Sequence, residues 1–162
     1  MKSTVEFEFV WNEPNSVGQL NPNDLHFFYY DVVAESLTKA PCLYEWDAKV
    51  ESFLSERGME VPSCTIEELR EKVFEADKMF FSLADDETKP EAFFRHLRNA
   101  FAHFNLNHSG DYIYMRDYKK DGKTVSMIGQ LKMDDLKDLC FQFFDQRESI
   151  IEKVEQQNQQ TI

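Results

Sequence analysis

Apolar side chains return every three or four positions through most of this chain, which is the period an α-helix needs to bury one stripe of its surface. Leu25, Phe28, Tyr29, Val32, Val33 and Leu37 make the first such run. Pro41 closes it, because proline lacks the amide that a continuing helix would use. Leu43, Trp46, Val50, Phe53 and Leu54 make a second run, ending at Gly58, a residue free to take the left-handed conformation found after many helices. Thr65 with Glu68 three residues on has the form of a capping box, opening a third helix that carries Ile66, Leu69, Val73, Ala76 and Phe80 inward. After the polar connection Asp85-Asp86-Glu87-Thr88-Lys89, a fourth helix runs from Pro90 to about Leu106, with Phe93, Leu97, Ala100, Phe101 and Phe104 on one side. Asp134 caps the last helix, whose stripe is Leu136, Leu139, Phe143, Ile150, Ile151 and Val154.

Two stretches break this period. Val5, Phe7, Phe9 and Trp11 alternate with Thr4, Glu6 and Glu8, the pattern of a strand covered on one face. Tyr112 to Tyr118 and Lys123 to Leu131 flank Asp121-Gly122, a pair suited to a tight turn because both positions tolerate positive φ. The expected architecture is therefore mainly α: a bundle of about five helices with a short N-terminal strand and a β-hairpin between the last two helices. One domain over residues 1–162 is the simplest organisation, and 42% hydrophobic residues, 15 of the chain being Phe, suffice to fill its core.

Composition narrows the function. The 30 acidic residues against 18 basic give a net charge of -12, which repels nucleic acid from most of the surface, so a polyanion site has to concentrate positive charge locally. Cys42, Cys64 and Cys140 are odd in number and scattered, which suggests neither a disulfide framework nor a zinc site. His26, His96, His103 and His108 show no HExxH spacing, so no metal is expected, and without GxxxxGK or GxGxxG no nucleotide cofactor is expected either. Asp85-Asp86-Glu87 and Asp134-Asp135 sit at helix boundaries, where acids cap amides. No leader opens the chain and no run approaches the roughly 18 apolar residues that cross a bilayer, so the expectation is a cytoplasmic protein without a membrane partner. The Phe-rich runs Phe27-Phe28-Tyr29-Tyr30 and Phe141-Gln142-Phe143-Phe144 lack interleaved basic residues and read as core and dimer seam.

One helix face stands apart. At about 100° per residue, Arg98, Ala102, Arg95, Asn99, His103 and His96 spread over roughly half the circumference of the fourth helix, placing four cation-capable groups together in an acidic chain. The segment Arg98-Asn99-Ala100-Phe101-Ala102-His103 resembles the Arg-Asn-x-x-x-His motif of HEPN domains, helical modules often associated with RNA cleavage. The helix order over roughly residues 22–155 is similar too, and the Asp-Gly hairpin resembles an insertion seen in some bacterial members of that superfamily.

The resemblance implies metal-independent endoribonuclease chemistry, in which the RNA 2′-hydroxyl is the internal nucleophile. His103 would be the proton carrier, since imidazole offers both protonation states near neutrality. Arg98 would grip phosphate oxygens and stabilise the transition state, Asn99 would position His103 or the phosphate, and Arg95 and His96 would be substrate-binding residues. It also implies a homodimer through the fourth helix, so that two motifs share one cleft, and a role as a toxin, stress or antiviral defence effector acting on RNA. No Gly-Ser followed by Asp-x-Asp is present, so any antitoxin would be a separate protein. The alternative is a non-catalytic HEPN-fold dimeric interaction or scaffold module. A third class, an acidic mimic of nucleic acid, fits the charge but leaves the basic helix face unexplained.

Overall fold

The computed structural model describes residues 22–38 and 40–160, so the strand expected over residues 4–11 lies outside the described residues. The chain begins with helix α1 (22–36), made of Pro22–His26, a π-helical stretch Phe27–Val32, and Val33–Ser36. A 3-10 turn at Ala40–Cys42 leads to α2 (Ala48–Glu56) and the short α3 (Ile66–Arg70). Then come β1 (Lys78–Phe81), α4 (Lys89–Ala102), β2 (Leu106–Ser109), β3 (Tyr112–Tyr118) and β4 (Val125–Lys132). Helices α5 (Met133–Phe144) and α6 (Arg147–Gln160) complete the order.

The expected mainly α bundle of five helices with one hairpin is overturned: about half of the described chain is helical, and it packs on a four-stranded antiparallel sheet in the order β1-β4-β3-β2. Two misread segments account for the difference. The third helix does form behind its Thr65/Glu68 capping box, but it ends at Arg70 rather than continuing to Phe80. Met79 and Phe81 belong to the main core while Phe80 between them belongs to a second cluster, and only an extended strand presents neighbours to opposite sides. Leu106, expected to end the fourth helix, instead starts β2, because the chain turns sharply after Ala102.

The sheet is buried on both faces. Met79, Phe81, Ile113, Met115, Met127 and Leu131 pack against the aromatic core of α1, α2, α4 and α5. Phe80, Tyr114 and Ile128 pack with Leu69 and Phe74 in a smaller cluster beneath α3. Gly129 pairs with Met79 on one side and Met115 on the other, and a β-carbon there would stand 3.1 Å from the Met79 Cγ. Glycine at the centre of β4 therefore lets two methionines close over it.

The predicted hairpin exists as β3–β4, but its tip is a loop over residues 119–124 in which Gly122 has φ +70 and Asp121 acts as a cap. The single last helix is two, divided at Asp145 and Gln146, and Lys132 rather than Asp134 is the N-cap of α5. Buried Glu35 at the end of α1 accepts hydrogen bonds from the Tyr44 hydroxyl and, at 2.8 Å, from Arg147 at the start of α6. Burial pushes the Tyr44 phenol far up, and its bond to Glu35 adds to the effect.

Candidate active site at the end of helix α4

Helix α4 is fixed at both ends by local sequence. At the start, Thr88 and Glu91 form a reciprocal capping box and Pro90 occupies the first turn, where no amide is missed. Phe93, Phe94, Leu97, Ala100 and Phe101 are fully buried along its inner stripe. At the far end the Asn105 amide reaches back to the Ala100 carbonyl (2.9 Å) and Phe104 takes the left-handed conformation at φ +56. This is a Schellman-type stop with a phenylalanine where glycine is usual, a strained choice that the surrounding packing has to hold in place. The hold comes from α1: Phe28 stacks on Phe101 with ring centroids 4.2 Å apart, and the Tyr29 hydroxyl donates to the Phe101 carbonyl (2.9 Å). His103 is the C-cap between these features, exposed, with no side-chain hydrogen bond among the described residues.

The other motif residues join a polar chain that runs inward. The Arg98 Nε donates to the Asn99 Oδ1 (3.3 Å), and the Asn99 Nδ2 donates to the Asp117 Oδ2 (3.1 Å). The same Asp117 oxygen stands 2.7 Å from the His96 Nδ1, while the His96 Nε2 stands 2.8 Å from the Ser82 carbonyl oxygen. The remaining Asp117 oxygen accepts from the Tyr118 amide (2.9 Å). His96 and Asp117 are buried, and each ring nitrogen of His96 faces an acceptor, so the imidazole is fully engaged inside the protein.

The single cationic face expected on this helix is thus divided. His96, expected to bind substrate, is wholly enclosed and positions its neighbours. Arg95, given the same role, makes a forked pair with Glu87 at 2.7 and 2.9 Å. Burial tends to raise the Glu87 carboxyl, but hydrogen bonds from Arg95 and the Ala84 amide outweigh it and hold the group below its usual range. Sequence reasoning misses Asp117, although a signal for it exists. In β3 the positions Ile113, Met115 and Asp117 fall on one side by strand alternation, so this acid had to be buried and in need of donors.

Three hollows open beside these residues. The largest, about 1120 Å³, lies between the end of α4 and the β3–β4 hairpin and is lined by Asn99, His103, Asp117, Lys119, Lys120 and Lys123 among others. A second, about 600 Å³, meets it at Asn99, Tyr118, Lys119 and Lys120 and extends to Arg95 and Ser82. Arg98 lines a third and smaller one, about 270 Å³, against Ser36, Thr38 and Pro41. Arg98 and His103 thus open onto different hollows of the same chain.

Residues 19–157 match the family described as HEPN pEK499 p136. The chain belongs to this HEPN family. Neither the curated proteins nor the solved structures give a match. The HEPN match spans every described secondary element from α1 to β4 and α5, and so includes both the motif helix and the hairpin. Among the described residues of this HEPN chain, no three His, Cys, Asp or Glu side chains gather as a metal-holding set, and no helix is long and apolar enough to cross a membrane.

Proposed function

We propose that this HEPN protein is a metal-independent endoribonuclease. In the proposed reaction the RNA 2′-oxygen attacks the adjacent phosphorus, the bond to the 5′-oxygen breaks, and the products are a 2′,3′-cyclic phosphate and a 5′-hydroxyl. One proton must leave the 2′-hydroxyl and one must reach the departing 5′-oxygen. His103 is the group for either transfer, because it is exposed at the cleft and its ring makes no competing bond among the described residues. Arg98 supplies fixed positive charge for the phosphorane, and Asn99 holds the Arg98 fork while itself tethered to Asp117.

A homodimer through α4 completes the proposal. Within one chain Arg98 and His103 line separate hollows, so a second copy offers the route by which Arg98 of one motif and His103 of another meet at one phosphate. A second proton carrier would come from the same source. Service in a toxin, stress or antiviral defence system, with any antitoxin a separate protein, is the cellular role that goes with this chemistry.

The observation that carries the reading is the exposed imidazole of His103, unpartnered among the described residues, at the end of the Arg98–His103 segment and beside a cleft with a basic wall. The experiment is cleavage of mixed cellular RNA in excess EDTA by wild type and by His103→Ala at matched folding and oligomeric state. Cutting by wild type alone is the expected result. Absence of cutting by both across varied RNAs would favour the non-catalytic HEPN scaffold, a reading to which the inward engagement of Arg98, Asn99 and His96 lends support.

A further inference from the structure

The largest hollow has a charge opposite to that of the chain. Its lining includes His103, Arg116, Lys119, Lys120 and Lys123, and its one acid among the described residues is Asp117, whose oxygens are engaged by His96, Asn99 and the Tyr118 amide. In a protein with 30 acidic residues against 18 basic ones, a wall of this composition departs from the average surface. Several cations elsewhere are paired with acids: Arg57 with Asp135 and Asp138, Lys78 with Glu60 and Glu75, Arg95 with Glu87, Lys137 with Asp24 and Arg147 with Glu35. No carboxylate among the described residues lies within salt-bridge distance of the Lys119, Lys120 or Lys123 ammonium groups.

The three lysines are presented by a built loop. The Asp121 carboxylate accepts from the Lys123 amide (2.8 Å), the Thr124 amide (2.8 Å) and the Thr124 hydroxyl (2.6 Å). The Gly122 amide closes onto the Lys119 carbonyl and the Lys119 amide onto the Thr124 carbonyl, each at 2.8 Å. Asp121 is thereby occupied with the Lys123 and Thr124 amides and the Thr124 hydroxyl, so the acid nearest the lysines shapes the loop that carries them. At the root of the hairpin the pairing slips between Asp117 and Tyr118, a bulge of the kind that bends a strand pair and re-aims its end.

We propose that the β3–β4 hairpin is the polynucleotide-holding element of this protein, with Lys119, Lys120 and Lys123 gripping consecutive phosphates of a single-stranded RNA whose scissile phosphate lies at His103. This rests on the nuclease reading for the role of His103 and assigns the substrate contacts to the hairpin instead of to Arg95 and His96. A run of phosphates fits better than one small anion, because the two hollows that meet at Asn99, Tyr118, Lys119 and Lys120 form a path on both sides of the hairpin root. Tyr118 on that path gives a ring against which a base can stack. Local positive charge inside a cleft also overcomes a negative average, since the low-dielectric walls focus the field.

The test separates binding from cutting. Full-length His103→Ala protein in EDTA is titrated with a fluorescently labelled single-stranded oligoribonucleotide at several salt concentrations, beside the same protein carrying Lys119→Gln, Lys120→Gln and Lys123→Gln. Exposed lysines tolerate this change, and circular dichroism with thermal melting verifies the fold. The triple variant is expected to bind on the order of tenfold to a hundredfold more weakly at low salt, with a slope of log affinity against log salt shallower by roughly 2, about 0.7 for each phosphate that is no longer neutralised. Unchanged affinity and slope overturn the inference even if wild type cuts RNA. Lysine-dependent binding without cutting by wild type upholds the hairpin site and overturns the nuclease reading alone.

Discussion

The two ends of helix α4 are built to different purposes. At its start polar groups answer one another: Thr88 and Glu91 cap each other's amides, the Ala84 amide donates to Glu87, and Arg95 clasps Glu87. At its end an imidazole is left without a partner among the described residues, and the next residue sits in a backbone conformation that its side chain disfavours. The contrast teaches that the first turn stabilises the helix while the last turn keeps an imidazole exposed, with Asp117 and α1 supplying the rigidity that the last turn lacks.

The largest expected effect falls at the far end and on activity alone. His103→Ala should lower RNA cleavage by about a thousandfold, while urea unfolding should move by less than about 0.5 kcal/mol; a large loss of stability would place His103 among the structural residues and break the contrast. Asp117→Ala comes next. It leaves His96 and Asn99 without their shared acceptor and should cost roughly 3 kcal/mol in urea unfolding, with cleavage falling as Arg98 and Asn99 lose their orientation. Stability and activity intact together would show that the buried chain supports neither.

At the near end the effects should be smaller and confined to stability. Thr88→Ala removes one half of the capping box and should cost about 1 kcal/mol, with cleavage per folded molecule unchanged. Acid tests the Glu87–Arg95 pair. Because the folded state holds the Glu87 carboxyl below its usual value of 4.5, its contribution to stability is present above that pH and is lost as the pH falls through the folded-state value. Arg95→Gln should therefore flatten the acid side of the melting temperature profile slightly, and an unaltered profile would show the pair to be idle.

The sequence is most legible where one local rule acts without competition. The Thr65/Glu68 capping box declares itself through a Thr and a Glu three residues apart, and Gly58 and Gly122 take the positive φ that their positions need. The strand β1 is hidden because Met79, Phe80 and Phe81 can be fitted to a helical stripe continuing from Leu69, and only the partner β4 shows that both sides of this segment are covered. The same holds for the site. Asn99 and His103 are readable from the motif, but the enclosure of His96 is decided by Ser82 and Asp117, which come from β1's exit and from β3 and have no local signature on α4. A helical wheel orders directions around an axis, and it cannot say which polar direction meets a sheet.

That dependence on distant partners sets an order of events during synthesis. The Ser82 amide bonds the Ser126 carbonyl, a closure that joins residues 44 apart, and β1, bridged on its other edge to Glu60 and Ser63, meets the rest of the sheet only through β4 among the described residues. A nascent chain that has passed Asn99 and His103 still lacks Asp117, and until β4 emerges it lacks the strand that holds β1 and β3 side by side. The cost of closing such a loop is not recovered before both partners exist. A product that stops before β3 thus carries Arg98, Asn99 and His103 without the carboxylate that holds Asn99 and His96 in place.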